Sequence, residues 1–365
     1  MQTDTLIIGG GLSGVYLAHG LARVNHEFLL IEARNRLGGR VLSQCPSQQK
    51  VVSGVARFDL GPAWIWPSLQ PLMQRMFDEL AIPVFPQYTH GVLLYEDTDA
   101  AAPQRHNGPS AHAQSYRVTC GAMTIIDRLV EAIAPDSLLL STKAIRLNRQ
   151  IAGVTVDMVD AKGIQQSIQA RRVVLAMPPR LMERLAFAPD LPDTLHHQWL
   201  STPTWMAGHA KIIALYEKPF WREQGLSGEV FSRHGPLSEI YDASPASGGP
   251  YALFGFFGLS AEVRRQLGVP ELSRRCLAQL QRLFGVQAGR PVELLIKDWG
   301  DDVYTATESD RAPLTQHPTY GVTPSDRAIW GGQILLAGSE SAEQSGGYLE
   351  GALEAAAYVL SYLSD

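Results

Sequence analysis

The residues Gly9-Gly10-Gly11-Leu12-Ser13-Gly14 follow directly on the apolar stretch Thr5-Leu6-Ile7-Ile8 and open a periodic segment at 12–23, after which Phe28-Leu29-Leu30-Ile31-Glu32 reads as a second strand. Strand, glycine turn, helix and strand in that order predict a right-handed βαβ unit, and with it a doubly wound α/β fold. Each glycine has its own task. Gly9 permits the tight turn, Gly11 lets the backbone approach a pyrophosphate, and Gly14 lets helix and strand pack closely. Phosphates would then meet the free amides at the helix N-terminus. A glycine-rich turn alone is weak evidence, because such turns are common between strand and helix. Here it follows a strand, opens a helix, and is succeeded 18 residues after Gly14 by Glu32, a carboxylate placed to accept hydrogen bonds from a ribose diol.

The rest of the chain sets bounds. Its 365 residues suffice for two or three domains, each with its own core. Hydrophobic residues at 45% and charged residues at 18% disfavour disorder, and a net charge of -5 argues against nucleic acid and for a small-molecule partner. The three cysteines, Cys45, Cys120 and Cys276, lie in no metal or disulfide spacing, so no metal is expected. The start has no signal-peptide pattern, the densest apolar run (251–259) is too short to span a bilayer, and the end carries no lipidation box. A cytoplasmic protein without a membrane anchor is the expectation, with homodimerisation left open.

Along the chain, 45–58 reads as a polar hairpin-like stretch and 71–80 as a short amphipathic helix; 96–117, rich in Ala, Pro, Asn, His and Ser, reads as a surface loop or shortened insertion. Residues 121–133 look helical, 138–149 and 154–159 look like strands, and the apolar strand 172–176 stops at Met177-Pro178-Pro179. Aromatic strands and one strong helix, 271–284, mark a second part. A strand at 333–337 and a helix from Gly347 to 363 close the chain. The division expected is 1–60, 118–188 and 292–365 for the nucleotide, with 61–117 and 189–291 for the substrate.

Past Glu32 the run Glu32-Ala33-Arg34-Asn35-Arg36-Leu37-Gly38-Gly39-Arg40 adds a glycine pair and an arginine for which an NAD dehydrogenase has no need. With it the sequence resembles the flavin-containing amine oxidase family, the monoamine and polyamine oxidases. Asp59-Leu60-Gly61-Pro62-Ala63-Trp64, Val174 to Pro179, and Ala337-Gly338-Ser339-Glu340 with Gly346-Gly347-Tyr348-Leu349-Glu350-Gly351-Ala352 are similar to further family segments, so the resemblance covers most of the chain. It implies a glutathione-reductase-like FAD-binding Rossmann domain with a second α+β substrate domain on a mixed sheet. Glu32 and Arg34 would hold the adenosine ribose and Arg40 the pyrophosphate. Ala144 would contact adenine through its backbone, Gly61, Trp64 and Gly338 would lie at the flavin, and Glu340 near the ribityl chain. Glu340 as a helix-capping carboxylate is the plain alternative. The helix at Gly347 would point its amides at the flavin's pyrimidine edge.

The resemblance also implies the reaction: a hydride equivalent passes from the carbon beside nitrogen to the flavin N5, the imine is hydrolysed, and O2 or another acceptor takes the electrons. His209 to Trp221 resembles the family segment whose lysine reaches N5 through water, which makes Lys211 the catalytic candidate, although a lysine in a strand is more often solvated or snorkelling. Tyr348 would be one wall of an aromatic cage. The family's glycine, flavin-linking cysteine and second cage tyrosine fall here on Thr307, Glu308 and Ser309. FAD is therefore expected without a covalent bond, and Trp299 is a candidate second wall with core packing as its alternative. Trp66, Trp205, Phe256 and Phe257 are further pocket candidates. A desaturase or protoporphyrinogen-oxidase-like enzyme, an amine dehydrogenase, and a flavoprotein of low activity with a binding role stay open.

Overall fold

The computed structural model describes residues 1–47, 55–98, 102–110, 112, 114–312, 314, 316–321 and 328–364. Strand Gln2–Ile8 lies at the centre of a nine-stranded sheet, parallel to Phe28–Ile31 on one side and to Gln165–Leu175 on the other. Ile8 is level with both Ile31 and Leu175, and Leu175 in turn with Leu336 of the parallel strand Ile334–Leu336. Four strands therefore end together. The Gly9 turn, Glu32, Ala176-Met177-Pro178 and Gly338-Ser339-Glu340 all emerge at this carboxyl edge, where open α/β sheets bind their ligands.

The strands are apolar in continuous runs because both faces are covered. Ile7 packs into a cluster with Val15 and Leu21 of helix Leu12–Arg23, Ile125 of helix Met123–Val130, and Leu353 and Val359 of helix Leu349–Ser364. Leu6 and Ile8 point the other way, into a cluster with Val156, Phe187 and Trp199. Helix Leu12–Arg23 can approach the sheet only because of Gly14: a Cβ there would lie 1.9 Å from the Gly9 carbonyl oxygen.

A second, seven-stranded sheet runs in the order Glu293–Asp298, Ala210–Tyr216, Tyr251–Phe257, Leu237–Asp242, Leu226–Ser232, Val92–Glu96, Gln104–His106. Helix Ala261–Phe284 covers one face through Leu272, Cys276 and Leu280. The other face carries Ile213, Leu215, Tyr241 and Phe254, which pack on Phe58 and Leu60 from the nucleotide side.

Some expectations need correction. The Glu293–Asp298 strand, expected with the nucleotide part, is the edge of this second sheet, antiparallel to Ala210–Tyr216. Its charged ends suit an edge position. The described part of the segment 96–117 is not all surface loop: Gln104–His106 pairs with Val92–Glu96, Tyr116–Val118 pairs with Val84–Pro86, and Ser115 and Arg117 are buried. The strong helix is present where expected, after Pro270, and a separate helical segment from Ala261 precedes it, the two meeting at Gly268, whose φ of +72 is not helical. The closing helix starts at Leu349, preceded by Gly347 at φ +79. Of the stretch 45–58, residues 48–54 lie outside the described residues, and Ser43–Gln44 pairs antiparallel with Phe58–Asp59 at its flanks. No helix among the described residues is long and apolar enough to cross a membrane.

Candidate active site

One cavity of about 750 Å3 runs from the carboxyl edge of the parallel strands to the inner face of the second sheet. Of the residues singled out in the sequence, Gly9, Gly11, Glu32, Arg34, Arg40, Ala144, Gly338 and Glu340 line its first half, and Gly61, Trp64, Lys211, Trp299, Gly347 and Tyr348 its second. Gly14 lies behind the wall, in the helix–strand contact.

The first half is largely backbone. Gly9 turns at φ +114, with the Ala176 carbonyl oxygen 2.4 Å from where a Cβ would be. At Gly11 a Cβ would meet nothing within 4 Å, so the bare backbone faces open cavity at the N-terminus of helix Leu12–Arg23. That cradle fits a pyrophosphate. Glu32, buried beside it and lining the cavity, accepts hydrogen bonds from the Gly10 amide at 2.7 Å and the Arg34 amide at 2.8 Å, which fix its carboxylate. Ala144, level with Met158, borders a bulge in strand Thr142–Gln150 that ends at Arg146, level with Asp157. Arg34 differs from expectation. Its guanidinium is held by Asp302 and by the Thr305 hydroxyl at 2.9 Å, so the 302–305 loop, invisible as a motif in the sequence, completes this end. At the midpoint Arg40 donates to Glu340 at 2.7 Å and to the Ser339 hydroxyl at 2.9 Å. Glu340 is thus an ion-pair partner of Arg40, with its side chain fully buried.

The second half is made of side chains. Lys211, 3% exposed, donates to the carbonyls of Asp59 at 3.1 Å and Gly61 at 2.8 Å, with its Nζ 4.4 Å from the Phe254 ring centroid. Burial lowers its amine from 10.5 to about 7; the Asp59 carboxylate raises it and the Arg117 guanidinium lowers it further. Trp299 donates its indole N–H to the Leu60 carbonyl at 3.0 Å, so the carbonyls of Asp59, Leu60 and Gly61 are all held by residues of the second sheet and the turn after it. Trp64 is fixed by Gln87 at 2.9 Å and stacks on His112 at 3.7 Å. Tyr348, 42% exposed, has a parallel ring at 4.7 Å, but this is His317 rather than Trp299. Trp299 has Lys297 over its ring instead. Thr307, Glu308 and Ser309 sit at a capped turn, Glu308–Arg311, and do not line the cavity; nor does Cys45, Cys120 or Cys276.

Glu239 was missed in the sequence. It lines the cavity, accepts the Tyr241 hydroxyl at 2.7 Å, and shares a cross-strand row with Phe256 and Lys211. Two strand spacings put its backbone roughly 10 Å from that of Lys211. The signal was present as the alternation Leu237-Ser238-Glu239-Ile240-Tyr241, which puts Glu239 and Tyr241 on one face.

Similar proteins cover the whole chain or nearly all of it. Residues 87–360 match the model of the flavin containing amine oxidoreductase family, and residues 7–80 match that of an NAD(P)-binding Rossmann-like domain. The putrescine oxidase of Kocuria rosea is 24% identical, with 97% of this chain and 93% of that protein covered. An L-amino acid dehydrogenase of Synechocystis is 23% identical, with 96% and 92% covered. Among solved structures, cyclohexylamine oxidase from Brevibacterium oxydans superposes with a TM-score of 0.80 over the whole of both chains at 20% identity. The chain belongs to the flavin-containing amine oxidoreductase family and is an FAD-dependent oxidoreductase.

Proposed function

We propose that this protein takes a small-molecule amine into the Lys211 end of the cavity and oxidises it at the carbon beside nitrogen, with FAD held non-covalently. The observation that carries this reading is the continuity of the cavity from the Glu32 cradle to the buried amine of Lys211. When bound, FAD supplies the hydride acceptor for that carbon and the route of the electrons to O2, so that an imine, hydrolysed by water, and H2O2 are the products.

The residues divide the remaining work. The Gly9 to Gly14 turn offers bare amides to the pyrophosphate, and Glu32 accepts from the ribose hydroxyls. Arg40, oriented by Glu340, lends positive charge to the phosphates. Trp64, Phe256 and Tyr348 supply apolar walls that exclude water from the reacting carbon. Lys211 holds an exchangeable proton at Nζ beside the Gly61 carbonyl, where charge that develops during oxygen reduction is stabilised by an ammonium. With no cavity-lining cysteine and Glu308 outside the cavity, no thioether linkage is available. Glu239, at the far end of the Lys211 row, favours an amine bearing a second positive group and disfavours one bearing a carboxylate.

Aerobic peroxide release from the holoenzyme with putrescine, benzylamine and an L-amino acid, paired with anaerobic loss of the flavin's colour, tests the reading. Peroxide and bleaching with an amine are expected, strongest with the diamine. Bleaching without peroxide would replace O2 by another acceptor, and no bleaching by any amine would overturn the proposal.

A further inference from the structure

Beneath Lys211 lies a buried charge cluster assembled from three segments distant in sequence. Asp59 ends the short strand Phe58–Asp59, Arg117 is the middle of Tyr116–Val118, and Lys211 is the second residue of Ala210–Tyr216. The Asp59 carboxylate uses one oxygen to accept from the Ser43 hydroxyl at 2.6 Å and the Ala122 amide at 2.8 Å. Its other oxygen is buried, accepts no hydrogen bond, and lies 3.6 Å from the Arg117 guanidinium. Arg117 gives one nitrogen to the Ser244 carbonyl at 3.3 Å, rests over Phe85, and keeps its Nε buried without a partner. Lys211 joins the pair through the Asp59 backbone carbonyl, to which its Nζ donates at 3.1 Å, so two basic groups and one carboxylate lie together in a buried site. Asp59 pairs with Arg117, and Lys211 is the second basic group beside that single carboxylate.

We propose that Arg117 and Asp59 are positioning residues for Lys211, the guanidinium weakening and the carboxylate strengthening its hold on a proton at the reaction end of the cavity. Other charged groups that face Lys211 are engaged elsewhere. Lys297, its neighbour in the row, is 2.8 Å from Asp302, and Glu239 is tied to Tyr241. His209, two residues earlier on the strand approach, has its pKa lowered by burial and by Arg264. Removing the Arg117 charge therefore acts on Lys211 through Asp59 and the shared low-dielectric site. Near neutral pH this balance gives Nζ a proton that it can both hold and lose. The consequence for catalysis rests on the proposed role of Lys211; the protonation itself does not.

The chain has only six lysines, which makes direct observation practicable. Holoenzyme labelled with 13Cε-lysine would be titrated by NMR, and the Lys211 signal identified by its loss in Lys211→Met. A wild-type midpoint near neutrality is expected. Arg117→Gln should raise it by about one pH unit, Asp59→Asn should lower it, and Arg117→Lys should restore the wild-type value. If Asp59→Asn fails to fold through loss of its Ser43 and Ala122 bonds, the Arg117 variants decide alone. A midpoint unmoved by Arg117→Gln, or an ordinary ammonium in every variant, would overturn the proposal. A purely structural role for Arg117 would lower Tm and leave the midpoint where it was. Unmoved titration with normal amine turnover removes this pair alone, whereas shifted titration without amine turnover removes the proposed reaction alone.

Discussion

At its Gly9 end the cavity is built around a backbone turn set by one short stretch of chain, Gly9 to Gly14, with Ala144 and the 302–305 loop closing it, whereas at its Lys211 end it is walled by side chains from positions as far apart as 64, 211, 239, 256 and 348. A backbone cradle must have its glycines at fixed spacing, because each serves a different close approach. Gly14 is needed where a Cβ would strike the Gly9 carbonyl, and Gly11 where a Cβ would project into open cavity. A wall of side chains carries no such rule. It needs only that each strand present the right residue on the right face, and the intervening lengths are free.

The largest effect expected from this contrast is at Gly14. Gly14→Ala should cost several kcal/mol and abolish stable folded protein, since neither the helix nor the Gly9 turn can give way by the distance required. Gly11→Ala should leave Tm of the FAD-free protein unchanged and reduce FAD retention. Circular dichroism and flavin absorbance on both variants read this directly, and equal behaviour of the two would break the assignment of separate tasks. Next comes Glu32→Ala, which should weaken FAD by about 1.5 to 3 kcal/mol, as for loss of hydrogen bonds to a charged group. Equilibrium dialysis measures it, and unchanged retention would put the ribose contact elsewhere.

A pH-dependent effect is expected at the other end. The folded chain holds the Lys211 amine down at about 7, against 10.5 for the free group. Between those values the unfolded chain keeps a proton that the folded chain has released, so stability rises with pH in that window. The gain of wild type over Lys211→Met should be at most about 1.4 kcal/mol per pH unit, read from denaturation at successive pH values. A flat difference would mean that the amine is not desolvated.

The same contrast explains what was legible in the sequence. The βαβ unit, Glu32 and the Arg40 segment could be read because local spacing dictates them, and helix Leu12–Arg23 was placed residue for residue. Lys211 and Tyr348, which line the cavity, were singled out through family resemblance, since nothing in their own neighbourhoods distinguishes them from core or surface residues. The ring against Tyr348 was misjudged because His317 reaches it from a segment with no periodicity, while Trp299 is committed to the Leu60 carbonyl. Asp302 and Glu239 escaped notice for a related reason: the partner that gives each its meaning, Arg34 for one and Tyr241 with the Lys211 row for the other, is set by tertiary folding. The misplaced boundary at 292 shows the limit of composition, since an edge strand such as Glu293–Asp298 reads alike in either sheet.

The central claim is that the glycine end holds the cofactor and the Lys211 end serves the reaction, so a change at Lys211 should separate the two. Pre-reduced holoenzyme, wild type and Lys211→Met, would be mixed with O2 in a stopped-flow instrument below about pH 7, where the wild-type amine carries its proton. The account predicts that Lys211→Met keeps its FAD and its fold but is reoxidised roughly a hundredfold to a thousandfold more slowly, the loss of about 2.7 to 4 kcal/mol that follows removal of one preorganised charge-stabilising group. Equal reoxidation rates in the two proteins would contradict it.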